Sequence, residues 1–165
     1  MDETRQKLVS VDPPMPDDAN ARLAEWFRAH WDDGVAFNKH AGIRVRRWEP
    51  DGVELGLPFK PELSAHEGVF HGGVIAALID TTGSAAVLAG HDFSKGSRLS
   101  TVSMSVNYLG VAPFEEVVAL GRATKRGGRV HYADVMVRSE SGTQVAQGLV
   151  VVSISGVRAG LPDTP

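Results

Sequence analysis

One stretch of the sequence combines a helix N-terminus with a lone carboxylate. The triplet His71-Gly72-Gly73 precedes an apolar run in which Asp80 is the one ionisable side chain before Gly90. Backbone N–H groups at a helix start have no intrahelical acceptor, and glycine lets a ligand approach them closely, so they can stabilise a developing oxyanion. A buried carboxylate without a partner costs several kcal/mol. The pattern therefore indicates chemistry at a carbonyl group, with Asp80 as its acid or base.

The spacing between these two groups constrains where they can meet. His71 and Asp80 are nine residues apart, which on an α-helix is a rise of about 13–14 Å. Both can serve one reaction only if the carboxylate of one chain faces the helix N-terminus of another, as in a two-fold dimer with two equivalent sites. The alternative interpretation, that Asp80 only bonds a neighbouring hydroxyl (Thr81, Thr82 or Ser84), stays open.

Hydrophobic periodicity predicts the elements that position these groups. A first helix is expected after residue 16, capped by Asp17, Asp18 or Asn20. Its stripe consists of Leu23, Trp26, Phe27, His30 and Trp31. A loop over Lys60–Phe70 and a long helix over Gly72–Ala89 follow. Strands are expected at Gly42–Trp48, Val53–Pro58, from Leu99 onward, Val117–Lys125, Val130–Arg138 and Gln144–Ile154.

Two details of the strand pattern have structural consequences. From Leu99 onward the period is two, and one face is predicted to carry Thr101, Ser103, Ser105 and Asn107. The opposite face is predicted to carry Val102, Met104, Val106 and Tyr108. Gly127-Gly128 is expected to form a two-residue hairpin turn.

Strands and helices do not alternate, so an α+β fold with an antiparallel sheet is expected. The apolar residues of the long helix point in most directions around its axis: Val74, Ile75, Ala77, Leu78, Val87 and Leu88. A helix of this kind must be nearly enclosed. A curved sheet wrapped around one central helix, the hotdog arrangement, would enclose it.

Composition excludes several classes of protein. The 165 residues are 42% apolar and 22% charged, with a net charge of −3 and no cysteine. These values indicate one globular domain over residues 17–156 and argue against nucleic-acid binding, thiolate chemistry and disulfides. Residues 1–16 are expected to be a flexible arm and 157–165 a flexible tail. No secretory signal or membrane span is recognised, so a cytoplasmic location without membrane partners is expected.

Several motifs together resemble one enzyme family over roughly residues 40–154. They are Gly68-Val69-Phe70-His71-Gly72-Gly73, Leu78-Ile79-Asp80, the strand from Ser100 to Tyr108, and Pro113. With these motifs the chain resembles hotdog-fold acyl-CoA thioesterases of the phenylacetate-degradation (PaaI-like) type. The resemblance implies that Asp80 is a general base or nucleophile, that the Gly72 amide holds the thioester carbonyl, and that His71 positions or polarises it.

The resemblance also implies further site residues and partners. Thr101 stands where such enzymes often carry a hydroxyl that orients water or the carboxylate, although an ordinary strand threonine is an equal alternative. Gly73 and Ser84 are further substrate-binding candidates. The family commonly has Asn or Gln six residues before the motif histidine, whereas this chain has Ala65, followed by His66. A homodimer that pairs into a homotetramer is expected.

Coenzyme A would arrive as part of the substrate, so no bound cofactor is expected. Its phosphates could meet a basic hairpin, in which Arg126, Gly127, Gly128 and Arg129 are the binding candidates, with Arg122 and Lys125 nearby. Solvated charges are the alternative interpretation. His66 and His71 do not suffice for a metal site, so none is expected.

Other functions remain open from sequence alone. A hotdog hydratase or dehydratase would keep the fold and change the reaction. A non-catalytic acyl-CoA-binding module, or a plain interaction protein, would have no need of Asp80 in an apolar helix. The acyl preference is not predicted.

Overall fold

The computed structural model describes residues 17–50, 52–66, 68–112 and 114–161. Three helices and eight strands occur in this part of the chain. The helices are α1 (Asp17–Asp33), α2 (Ala36–Ala41) and α3 (Gly72–Ala89). The strands are β1 (Arg44–Glu49), β2 (Gly52–Leu57), β3 (Ser64–His66), β4 (Val69–Phe70), β5 (Leu99–Tyr108), β6 (Val117–Arg126), β7 (Val130–Ser139) and β8 (Gln144–Ile154). The predicted N-terminal arm and Pro113 lie outside the described residues.

Six of the strands form one antiparallel sheet in the order β1-β2-β6-β7-β8-β5, and β3 and β4 form a small separate hairpin. The sheet wraps around α3, which contacts β1, β2, β5, β6, β7 and β8. This confirms the predicted α+β hotdog fold with an additional N-terminal helix. Strand β5 lies at one edge of the sheet, so the described residues leave one of its sides unpaired.

Glycines bring α3 close to the sheet. A side-chain carbon on Gly83 would come within 2.6 Å of Val150, and one on Gly148 within 2.7 Å of Ile79. Such distances are far shorter than van der Waals contact, so helix and sheet could not pack this tightly with larger residues. This close packing fixes which α3 side chains face the sheet.

By length and composition, helix α3 could span a membrane, since it has 18 residues and a mean hydropathy of 1.5. The sheet covers most of the helix, with 61% of it buried. A core helix of a soluble protein has the same properties, so the hydropathy of α3 is accounted for by its central position in the fold.

Three local features differ from the sequence-based expectations. The expected loop over Lys60–Phe70 contains a 3₁₀ turn (Pro61–Leu63) and the β3–β4 hairpin. Helix α2 was not predicted, because six residues are too few to display a helical period. The expectation of a two-residue turn at Gly127-Gly128 was wrong. The β6–β7 link also includes Arg129, and neither glycine has the positive φ that such a turn requires.

A β-bulge changes which side chains of β5 point toward α3. Strict alternation would place Thr101 and Tyr108, seven residues apart, on opposite faces of the strand. The pairing with β8 shifts between Thr101 and Ser103, so one extra residue is accommodated there. Both hydroxyls therefore reach α3. The prediction that Thr101 shares a face with Ser103 was wrong for this reason.

Two buried histidines pack together near the C-terminal end of α3. His131 is 1% exposed, and neither ring nitrogen has a hydrogen-bond partner among the described residues. Its ring lies perpendicular to that of His91, at 5.4 Å between centroids. Burial, followed by the charges of Arg126 and Lys95, lowers the pKa of His131. The pKa of His91 is also lowered, mainly by burial.

We expect this histidine pair to make the protein less stable as the pH falls. A lowered folded pKa means that the unfolded chain takes up protons first, so the stability present above pH ~6.5 is lost as the pH drops below it. The slope is about 1.4 kcal/mol per pH unit for each such proton. Urea unfolding at several pH values measures it. His131→Leu should flatten the profile, whereas the exposed-site control His40→Leu should not; an equally steep profile in His131→Leu would contradict the assignment.

Candidate active site

His71 caps the N-terminus of α3. Its backbone is extended (φ −63, ψ 133), and its Nδ1 accepts a hydrogen bond from the Gly73 N–H at 2.9 Å. An accepting Nδ1 carries no proton, so the neutral ring has its proton on Nε2. The Gly72 N–H has no acceptor among the described residues, as expected for the first amide of a helix. It is therefore available to a ligand oxygen.

Tyr108 ties the end of β5 to the same helix start. Its hydroxyl donates to the Gly72 carbonyl oxygen at 2.7 Å, and the side chain is 55% exposed. Tyr108 is not among the site residues predicted from the sequence. Its position at the end of the alternating strand was the available signal, but the bulge that turns it toward α3 has no sequence signature.

Asp80 lies two and a half turns further along α3 and is half-buried. The Thr101 hydroxyl donates to its Oδ1 at 2.8 Å. Strand β5 therefore contacts α3 at two points, Thr101 on Asp80 and Tyr108 on Gly72. The hydrogen bond fixes the orientation of the carboxylate and brings together two of the residues selected from the sequence.

A cleft of about 380 Å³, which we call the acid cleft, surrounds this carboxylate. Its lining residues are Trp31, Val35, Phe37, Asn38, Ala77, Asp80, Thr81, Ser84, Leu99, Ser100 and Thr101. Ser84, a predicted binding residue, is buried in the wall one turn beyond Asp80. Helices α1 and α2 supply the opposite wall, so the N-terminal extension forms part of the site.

Asn38 joins α2 to the helix that carries the acid. Its side chain is buried; the amide nitrogen donates to the Trp31 carbonyl at 2.8 Å, and its oxygen accepts from the Thr81 hydroxyl at 3.2 Å. Sequence reasoning missed this residue, because its partners lie 7 and 43 positions away. The resembled family's amide position is Ala65 here, and Asn38 is the one side-chain amide among the described residues that line the acid cleft.

Several predicted residues lie elsewhere. Ala65 and His66 are exposed on β3 and do not line the acid cleft. The cleft also excludes His71, Gly72 and Gly73, in keeping with their distance from Asp80 along the helix. A single chain therefore does not bring the acid and the free amide into one pocket.

Arg126 has a structural role near the C-terminal end of α3. Its guanidinium donates to the Ala86 and Pro50 carbonyl oxygens, both at 3.0 Å, and burial lowers its pKa. A cation on carbonyls near the end of a helix complements the helix dipole. Only Nη2 makes these two bonds, so the expected contact of Arg126 with phosphate stays a prediction. Gly128 and Arg129 are exposed at the tip of the same hairpin, where the Gly127 N–H donates to the Val130 carbonyl oxygen.

No group of three or more His, Cys, Asp or Glu side chains suited to a metal ion occurs in the described part of the chain. The chemistry available at the site is that of a carboxylate, hydroxyls and a helix N-terminus. Such a set can activate a water or attack a carbonyl carbon directly, and it can stabilise an oxyanion.

Comparison with known proteins agrees with this chemistry. A family model described as the thioesterase superfamily matches residues 67–146, a range that includes Gly72, Asp80 and Thr101 but not α1 or α2. The medium/long-chain acyl-CoA thioesterase YigI of Escherichia coli is 24% identical over 125 residues, covering 68% of this chain and 81% of that protein.

Solved structures show the same fold. A Shewanella oneidensis protein described as related to the thioesterase superfamily is 26% identical, with a TM-score of 0.70 over 82% of this chain and 97% of the other. A thioesterase family protein of Silicibacter pomeroyi has a TM-score of 0.71 at 18% identity, over 83% and 98% of the two chains, a likeness that shows the fold alone.

Proposed function

We propose that this hotdog-fold thioester hydrolase cleaves acyl-CoA at a site shared by two chains, of the PaaI-like arrangement. Asp80 of one chain would face the Gly72 N–H of the other. The observation that carries this proposal is the pair of contacts along edge strand β5, Thr101 on Asp80 and Tyr108 on Gly72.

Antiparallel pairing of β5 with its copy would complete the site. Because Val102 is the extra residue of the bulge, a two-fold axis at Ser105 sets residue 101 of one chain opposite residue 108 of the other. Because Thr101 holds Asp80 and Tyr108 holds Gly72, each acid then lies beside the partner's free amide. The apolar side chains along β5 support such pairing, since Val102 is 60% and Met104 39% exposed.

The reaction follows from the two groups. Asp80 takes a proton from water as the water oxygen bonds to the carbonyl carbon, and the Gly72 N–H and the helix dipole stabilise the oxyanion. The C–S bond then breaks, and the proton passes to the coenzyme A sulfur. In the nucleophilic variant an Asp80 oxygen attacks the carbon, and the C–S bond breaks to release the coenzyme A thiolate. Water then hydrolyses the mixed anhydride, which frees the carboxylic acid and Asp80, and the proton lost by the water passes to the thiolate.

The remaining parts of the site have supporting roles. His71 holds the helix start by capping Gly73, and Thr101 orients the carboxylate. Arg129 at the hairpin tip is the residue we assign to coenzyme A phosphates, with Gly127 and Gly128 beside it. We further propose that dimers pair into tetramers and that the enzyme is cytoplasmic.

Thiol release from a panel of aryl, short-chain and long-chain acyl-CoAs tests the proposed function. We expect turnover of at least one class, dependent on Asp80. Water addition to an enoyl-CoA without thiol release would instead indicate a hydratase. Tight binding of acyl-CoA without turnover would indicate a binding module, and either result would refute the hydrolase.

A further inference from the structure

A second cavity adjoins the acid cleft. It has a volume of about 330 Å³ and lies between α1, the end of α3 and the segment after β8; we call it the arginine pocket. Its lining residues are Phe27, His30, Trp31, Gly34, Val35, Leu88, Arg98, Leu99 and Arg158. Two arginines line it and no acidic residue does, so the cavity carries net positive charge.

Arg158 is held in a fixed position in this pocket. Its guanidinium lies 5.3 Å from the centroid of the Trp26 ring and 5.8 Å from that of Phe27, and it donates to Nε2 of His30 at 3.2 Å. A histidine that accepts from an arginine must be neutral, and burial together with the Arg158 charge lowers the pKa of His30. These contacts orient the guanidinium without neutralising it.

Arg98 supplies the second positive charge. Neither Arg98 nor Arg158 forms an ion pair with a carboxylate in the part of the chain that the structure describes. Two arginines that line one cavity without a carboxylate partner favour an anionic ligand.

The two cavities share three apolar wall residues. Trp31, Val35 and Leu99 line both the acid cleft and the arginine pocket. Leu99 follows Arg98 directly and lies two residues before Thr101. The path from Asp80 to the arginines is therefore apolar in its middle and cationic at its far end, and each cavity has a volume typical of small-molecule sites.

We propose that the arginine pocket binds a carboxylate at the distal end of the acyl group, so that the preferred substrates are ω-carboxyacyl-CoA thioesters. The thioester would lie at Asp80, the methylene chain against Trp31, Val35 and Leu99, and the terminal carboxylate between Arg98 and Arg158. Planar guanidinium groups match carboxylate geometry, and desolvation by the aromatic walls strengthens the ion pair. This inference rests on the proposed thioesterase function.

Matched substrates test the inference. Hexanoyl-CoA and hexanedioyl-CoA, and octanoyl-CoA and octanedioyl-CoA, have equal chain lengths and differ in a terminal methyl or carboxylate. For the wild type we expect kcat/KM to be about tenfold or more higher for the carboxylate member of at least one pair. Equal values for both members of both pairs would overturn the proposal.

Variants of the two arginines test whether the arginine pocket causes the preference for the carboxylate substrate. Arg98→Gln and Arg158→Gln should each lower kcat/KM for the carboxylate substrate by about 10- to 100-fold and leave the methyl substrate within about threefold. Arg158→Lys, which retains the charge, should recover part of the loss and guards against misfolding of Arg158→Gln. Arg28→Gln, an exposed arginine of α1 outside both cavities, is the matched control. An equal loss for both substrates would overturn the proposal and indicate that the arginines bind coenzyme A phosphates.

The carboxylate site can be tested separately if the protein has no thioesterase activity. If no acyl-CoA releases thiol, free hexanedioate and octanedioate still probe the pocket by thermal shift. A rise in Tm of the wild type that is absent in Arg98→Gln, with no rise from adenosine 3′,5′-bisphosphate, would retain the carboxylate site without the hydrolase. No rise with either dicarboxylate would overturn the carboxylate site.

Discussion

Asp80→Asn is expected to lower kcat/KM for the preferred acyl-CoA by about 10²- to 10⁴-fold, the range typical of losing a general base. Asparagine has the same shape as aspartate, and its side-chain oxygen can still accept a hydrogen bond from the Thr101 hydroxyl. In the wild type this hydroxyl lies 2.8 Å from Oδ1 of Asp80. It can neither take a proton from water nor attack a carbonyl. Because Asp80 is only half-buried and lines an open cleft, the fold should be retained. Thiol release over a range of substrate concentrations measures the loss.

Two further variants test whether the loss comes from the Asp80 carboxylate itself. Asp134→Asn makes the same change on an exposed residue of the outer sheet face and should leave turnover unaltered. Thr101→Val removes the orienting hydroxyl but keeps the carboxylate, so a smaller loss of about tenfold is expected, similar to that of one hydrogen bond to a charged group. Turnover of Asp80→Asn within threefold of the wild type would refute the assignment of Asp80.

The central helix was predictable because its signals are local. Its predicted range, Gly72–Ala89, and that of the last strand, Gln144–Ile154, coincide with the observed ones. Because apolar residues lie on most sides of this helix, it must be covered by other elements, and the strand pattern predicted the sheet that covers it. Asp80 was predicted as a site residue from the sequence because it is the one ionisable side chain within this run.

The side chains of β5 that point toward α3 were not predictable in the same way. Val102 is as suited to a regular strand as to a bulge, so the residues carry no signal for the register shift that turns Thr101 toward α3. The structural role of Arg126 was not predictable for a related reason. Its carbonyl partners lie 40 and 76 positions away, and only the assembled fold shows that Nη2 of the guanidinium bonds them.

Gly72→Pro should lower kcat/KM by about 10²- to 10³-fold, the effect of losing one oxyanion donor. Proline removes the N–H and is favoured at the first position of a helix. The preceding His71, at φ −63 and ψ 133, already has the conformation that a following proline requires. An added Cβ would lie 3.4 Å from the Tyr108 ring, which is ordinary contact. Gly72→Ala adds the same carbon but keeps the N–H, and should stay within about threefold of the wild type.

Mixed dimers of the two inactive variants then test whether the site is shared. A differently tagged pair, Asp80→Asn with Gly72→Pro, would contain one site with both defects and one intact site, so purified heterodimers should regain about half of wild-type turnover. The reciprocal pair, a doubly substituted chain with a wild-type chain, would damage both shared sites and should remain inactive. If each chain carried its own complete site, the two outcomes would be exchanged, because the first pair would have no intact chain and the second would have one.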